Sequence, residues 1–356
     1  MVTKAVWCGV ELDLFAYSKD KRAESIRTNF LHRLMIIFLE DVFNPKIFSY
    51  VDKAIRDLER YRKARKNLDI DHKIFRDYRK KEECVIPRLI ETMCLSSHSR
   101  VLYNYKNLIS DFDSDFGSFW NLLELKYGDE MRVFFKNIDT VSWTNSMTYF
   151  LYPEEQHVRI FVNNFIGCLE KKDLRAFFWV KKILSNLTKI HSRNKKTKPE
   201  YIIFDILDKY ILTYTLGDIR KELVSVKSIC VRWFEELKSL RESFLCYFYL
   251  IFLIIRQNEF LVMCSDIKTP GLSESKRYAV NLLNNKIPID DFVVDKHTRQ
   301  GKMKNAGIKE FVISGCKISN RIEGEFALFE SLYIDVELLK LVGLEKFKLE
   351  YSNCTV

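Results

Sequence analysis

The amino-acid sequence predicts an all-α fold made of many helices, because its composition and its hydrophobic periodicity both disfavour sheets. The 356 residues include only 11 Gly and 6 Pro, whereas chains built of many short strands need more turn residues. Hydrophobic residues form 47% of the chain and aromatic residues 14%, which is ample material for a packed core. The single candidate β element is a short strand or extended arm at residues 1–20.

Helical periodicity begins after Lys21. Apolar residues recur from Phe30 to Leu39 at helical spacing and predict an amphipathic helix. The pair Asn44-Pro45 is expected to end it, because the residue before a proline is pushed out of the α region. Pro87 is expected to begin a later helix, since proline is tolerated in the first helical turn.

Residues 47–83 form a strongly charged stretch with twelve basic and eight acidic side chains. Asp52 and Arg56 are four residues apart with the acid first, as are Glu59 and Lys63, which is the favourable order for ion pairs on a helix. The alternation of sign favours a solvated pair of helices laced by such ion pairs.

A nucleic-acid face is the alternative interpretation of this stretch, with basic side chains between residues 60 and 81 contacting phosphates. Tyr61, Phe75 and Tyr78 lie among these charges and could stack on unpaired bases. Aromatic residues at this spacing on an amphipathic helix more often belong to the core, so both interpretations stay open.

The longest apolar run extends from Phe244 to Ile255. A bilayer-spanning helix needs about 20 apolar residues, and this run is shorter and is flanked by charged residues. The sequence therefore predicts a buried core helix here and no membrane partner.

Two loop-like segments, at residues 111–119 and 265–275, suggest boundaries between regions of the chain. The first is acidic, and the second reads SDIKTPGLSES. The predicted regions are an N-terminal one with charged helices at 1–110, a central helical one at 111–264, and a C-terminal one with a basic loop and a closing helix at 265–356.

The charge balance favours a polyanionic partner such as DNA, because the chain carries a net charge of +10. No phosphate-binding GxxxxGK[ST] loop, GxGxxG, HExxH or GxSxG motif occurs, and the six histidines do not pair at ligand spacing. We therefore predict a non-enzymatic protein without a cofactor or a metal site. The nine cysteines include no CxxC pair, which suits an intracellular, reducing compartment in either nucleus or cytoplasm.

Two basic segments are candidate phosphate contacts in addition to the charged helices. One lies at residues 189–199, and the other contains the sequence HTRQGK, where glycine permits a close backbone approach and the side chains offer charge and hydrogen bonds. An ordinary structural turn explains the second segment equally well. The candidate nucleic-acid-binding residues are Arg193, Lys195, Lys196, Lys198, His297, Thr298, Arg299, Gly301, Lys302 and Lys304.

Two stretches of the chain resemble a known family. The stretch NFLHRLMIIFLEDV at 29–42, followed by LIETMCLSSHSR at 89–100, is similar to the helical C-terminal region of the clamp-loader-like ATPases of the RarA group. The segment DKHTRQGK with a later Phe and Gly looks like a tail segment of related ATPases. The residues that match the family's helical region are Arg33, Glu40, Asp41, Ser99 and Arg100.

The resemblance implies a collar or oligomerisation region standing without its ATPase module. Such a region would bind DNA, copies of itself or other replication proteins, and would hydrolyse nothing. The leading expectation is a DNA-associated accessory protein in replication, recombination or repair. One alternative is a scaffold, such as a virion or assembly protein of a large DNA virus. The other is a diverged enzyme that uses His297 with Asp295 or Asp291.

Overall fold

The computed structural model describes residues 2–18, 21–99, 201–237 and 240–257, together with 165–172 and single residues at 102, 162, 176–184, 271–281 and 303. The chain divides into two compact units, and the described residues up to 99 belong to the first, those from 102 to 257 to the second. Regular structure within these ranges is helical and includes no strand, which confirms the predicted all-α fold.

The described residues of the first unit up to 99 form four long helices: α1 (Val2–Leu14), α2 (Lys21–Asp41), α3 (Phe48–Arg65) and α4 (Lys73–Leu95). Helices α1 and α3 both pack against α4, so α4 is the central element among these four helices. Short 3-10 turns follow α1 and precede α3.

The predicted β element at residues 1–20 is wrong, because α1 occupies most of that segment. Its buried residues Val6, Gly9 and Asp13 recur at helical spacing and face the rest of the unit. A Cβ atom at Gly9 would lie 1.9 Å from Cδ1 of Ile90, so the missing side chain lets α1 lie directly on α4. Packing against α4 therefore overrides the weak local preference of this β-branched segment.

The two proline signals had different outcomes. Asn44 is extended and α2 ends at Asp41, as the Asn44-Pro45 pair predicts. Pro87 was predicted to begin a helix, which is wrong, because it lies inside α4. Its ring removes one backbone hydrogen bond from the helix, and the complete burial of the neighbouring Ile86 and Leu89 offsets that loss.

Five charged side chains meet in the interior of the first unit, which corrects the expectation of solvated charges for Arg65, Arg79 and Glu82. Both carboxylates of the cluster are bridged by arginines, with nitrogen–oxygen distances of 2.6–3.1 Å. All four helices contribute to this buried ion cluster, which consists of Asp13, Arg27, Arg65, Arg79 and Glu82.

Asp13 lies at the point of the buried ion cluster where α1, α2 and α4 meet. Burial by itself would raise its pKa, but the charges and hydrogen bonds of Arg79 and Arg27 outweigh burial and lower the pKa below its ordinary value. The carboxylate is therefore ionised at neutral pH and holds the end of α1 to two other helices.

Three long helices lie between residues 201 and 257 of the second unit, and the middle one packs on both others. Thr215 and Leu216 separate the first two, and the second begins at Gly217, whose φ of 57° favours glycine. The last helix is buried from Leu245 to Ile255, which confirms the predicted core helix. The helices are α5 (Tyr201–Tyr214), α6 (Gly217–Glu236) and α7 (Leu240–Ile255).

Three thiols in this unit are fully buried: those of Cys168, Cys230 and Cys246. All three are free thiols, and burial raises the pKa of the Cys230 thiol. They therefore act as small apolar side chains of the core, as their positions in apolar runs predict.

Candidate nucleic-acid interface

The exposed surface of α3, α4 and their connection is strongly basic. Between residues 47 and 83, nine exposed side chains are cationic and three are carboxylates. On α3 the cations recur every three or four residues and so form one row along the helix. This basic face consists of Lys53, Arg56, Arg60, Lys63, Lys66, Lys73, Arg76, Lys80 and Lys81.

The excess of positive charge at this surface arises because five of the eight acidic residues are buried or half-buried. Asp52 and Glu82 are buried, and Asp57, Glu59 and Glu83 are half-buried. A ratio of twelve basic to eight acidic residues in the sequence thus becomes nine to three at the surface.

Two of the basic residues expected to contact phosphates are not at this surface. Arg65 and Arg79 are 5% and 1% exposed and belong to the buried ion cluster. Their guanidinium groups bind carboxylates of the same unit, so the expectation is wrong for these two positions.

Ion pairs along α3 hold part of the basic face in place. Arg56 bonds Asp52 at 2.8 Å, as the spacing predicts. Glu59 bonds Arg62 at 2.8 Å instead of the predicted Lys63. Lys63 is exposed and the carboxylate predicted to pair with it bonds Arg62 instead, so the Lys63 charge is available to a partner.

A pair of tyrosines lies within the basic face and joins α3 to α4. The rings of Tyr61 and Tyr78 are half-buried, and their centroids are 5.6 Å apart at an interplanar angle of 33°. The Arg60 guanidinium lies 5.2 Å from the Tyr61 centroid, and the Lys81 ammonium lies 5.2 Å from that of Tyr78. This tyrosine pair therefore offers aromatic surface beside two cations.

Phe75, the third aromatic residue of this stretch, has a structural role. It is 3% exposed, and the Arg65 guanidinium lies 5.5 Å from its ring centroid. This position confirms the core interpretation for Phe75 and separates it from the tyrosine pair.

The ten candidate residues in the two basic loops lie outside the described residues. These are Arg193, Lys195, Lys196 and Lys198 of the first segment, and His297, Thr298, Arg299, Gly301, Lys302 and Lys304 of the second. They remain predictions from the sequence.

The structure brings together the two stretches that carry the family resemblance. The backbone N–H of Ser99 donates to the Asp41 carbonyl at 3.0 Å, and that of Phe43 donates to the Ser97 carbonyl at 2.8 Å. Glu40 is buried and Arg33 is exposed, whereas Arg100 lies outside the described residues. These contacts fix the end of α2 beside the end of α4.

In the part of the chain that the structure describes, no three His, Cys, Asp or Glu side chains are placed to hold a metal ion. No helix in the same part is long and apolar enough to cross a membrane. No protein-family model, curated protein or solved structure is significantly similar to this chain.

Proposed function

We propose that this protein is a non-enzymatic, DNA-associated accessory protein acting in replication, recombination or repair, and that its basic face contacts the phosphate backbone. The observation that supports the proposal is the ratio of nine exposed cations to three exposed carboxylates between residues 47 and 83. Neutralising phosphates with such side chains releases counterions and drives binding.

The geometry of the α3 row suits an extended polyanion. Lys53 and Lys63 are ten residues apart on the same side of α3, which corresponds to about 15 Å at the rise of an α-helix. A DNA duplex presents roughly nine negative charges over such a length. Several phosphates are therefore within reach of one helix, and the cations of α4 extend the contact.

Replacing Lys63, Lys66 and Lys80 by glutamine together is expected to weaken DNA binding and to flatten its salt dependence. Each lost phosphate contact should reduce the slope of log K against log salt by about one, so the triple variant should lose about two to three. Fluorescence anisotropy of labelled duplex, single-stranded and forked DNA at several salt concentrations measures both quantities.

The matched control removes three exposed lysines from other parts of the chain, Lys46, Lys209 and Lys221. This variant loses the same net charge but leaves the basic face intact, so its salt slope should stay within about 0.5 of the starting protein. Equal losses in the two variants would show that only net charge matters. Absence of binding by the unaltered protein at about 50 mM salt would overturn the proposal and favour a scaffold function.

Replacing Tyr61 by leucine is expected to weaken binding to single-stranded DNA much more than binding to duplex. Stacking of a base on an aromatic ring contributes about 1–3 kcal/mol, so the affinity for single strands should fall roughly 5- to 100-fold. Tyr61→Phe keeps the ring and should bind within about twofold of the original protein. If leucine reduces duplex and single-strand binding equally, the tyrosine pair does not stack on bases.

A further inference from the structure

We propose that the first unit also binds a small anionic amphiphile, a molecule with a hydrocarbon chain and one carboxylate or similar group, in an apolar cavity between α1, α2 and α4. The cavity has a volume of about 550 Å³. Sites for small organic ligands have volumes of about 300–1,000 Å³ and mostly apolar walls. The inference concerns a different surface from the basic face and does not depend on DNA binding.

Three helices form the walls of the cavity. Cys8 and Leu12 line it from α1, Phe30 and Leu34 from α2, and Ile90 closes it from α4. On α2 the lining residues continue at helical spacing from Ile26 to Ile37, a length of about 16 Å. The cavity is therefore elongated along α2, as an extended hydrocarbon chain requires.

Two contacts between the helices hold the walls in position, one within the cavity lining and one outside it. Gly9 allows α1 to lie against Ile90, and Nε of Arg27 on α2 bonds Asp13 at the far end of α1 at 2.8 Å. Closing the space would require breaking this buried ion pair or separating α1 from α4. A preformed apolar space lacks dispersion contacts along its walls, and an apolar occupant restores them.

The polar groups at the cavity identify the charge of the ligand. Arg33 lines the cavity, is exposed, and makes no ion pair with the other described residues. The ring nitrogens of His98 lie 3.2 Å from the Asp41 carbonyl oxygen and 3.1 Å from the Cys94 carbonyl oxygen, so both of them face the backbone of this unit. Asn29 also lines the cavity but carries no charge, so Arg33 is the cationic group available to the ligand, and a guanidinium prefers a carboxylate or phosphate.

The dimensions favour a small molecule over a helix from a partner protein. A helix with its side chains is about 10–12 Å across, and three turns of it would need more than about 1,000 Å³, roughly twice the space between these walls. The space opens to solvent at Cys8, Ile26 and Arg33, which are exposed, and a single hydrocarbon chain fits within its volume.

Alkylation of Cys8 by N-ethylmaleimide, measured peptide by peptide by mass spectrometry, tests the site directly on the full chain. Dodecanoate at about ten times its Kd should slow the reaction of Cys8 about tenfold. Cys84 on α4 is part of the same unit but does not line the cavity, so its rate should not change. Equal slowing of both thiols, or no slowing of Cys8 at millimolar dodecanoate, would overturn the proposal.

Arg33→Gln tests the charge of the ligand without touching the buried walls. The variant should bind dodecanoate about tenfold more weakly, since a charged hydrogen bond of ordinary strength is lost. Its affinity for dodecanol, which has the same chain and no charge, should be unchanged. If the unaltered protein binds dodecanol as tightly as dodecanoate, the cavity does not select an anionic group and the proposal fails.

Discussion

Replacing Glu82 by glutamine is expected to lower the free energy of unfolding by about 3–5 kcal/mol. The Glu82 carboxylate is fully buried and faces three guanidinium groups, those of Arg27, Arg65 and Arg79. Glutamine keeps the shape of the side chain but leaves three buried positive charges opposite the single carboxylate of Asp13, and an uncompensated buried charge is costly. Urea unfolding followed by far-UV circular dichroism measures the loss.

The neighbouring Glu83 provides the matched control. Its side chain is 33% exposed and lies 3.6 Å from Arg79, so it makes a partly solvated ion pair on the rim of the buried ion cluster. Such pairs contribute about 1 kcal/mol or less, and Glu83→Gln should change the free energy of unfolding by no more than that. If Glu82→Gln lowers the free energy of unfolding equally little, the three buried guanidinium groups do not depend on the Glu82 carboxylate for charge compensation.

The buried ion cluster shows why the charged stretch could be predicted as helices but not as a core. The periodicity of residues 47–83 specifies helices whether their charges face water or one another. The decisive partner, Asp13, lies 66 residues before Arg79 in the sequence. A contact of that separation is not encoded in local alternation of sign, and the expectation of solvated charges failed at Arg65, Arg79 and Glu82 for this reason.

The same limit applies to the candidate sites. The basic face was one of two interpretations of the sequence, yet its charge excess became visible only when the burial of Asp52 and Glu82 removed acids from the surface. The apolar cavity was not predicted, because its first wall is α1, where a β element was expected. Gly9 carried the available signal, as a lone glycine between apolar residues suggests a close approach.

Replacing Trp233 by alanine is expected to lower the free energy of unfolding by about 3–5 kcal/mol. Trp233 is fully buried on α6, the helix that packs on both α5 and α7. The side chain belongs to a buried stripe with Val226, Ile229 and Cys230. Its removal loses the free energy of burying the indole ring and leaves a cavity whose surrounding side chains lose their packing contacts. Urea unfolding monitored by the helical dichroism signal gives the magnitude.

Two control substitutions, Val224→Ala and Trp233→Phe, show whether lost packing causes the destabilisation. Val224 is 37% exposed on the same helix, so Val224→Ala should change the free energy of unfolding by about 0.5 kcal/mol or less. Trp233→Phe keeps an aromatic ring and should fall between the two, since a smaller cavity costs less. An alanine variant at Trp233 that loses less than about 1 kcal/mol would mean that α6 repacks against its neighbours, and that the tight core of the second unit does not depend on this side chain.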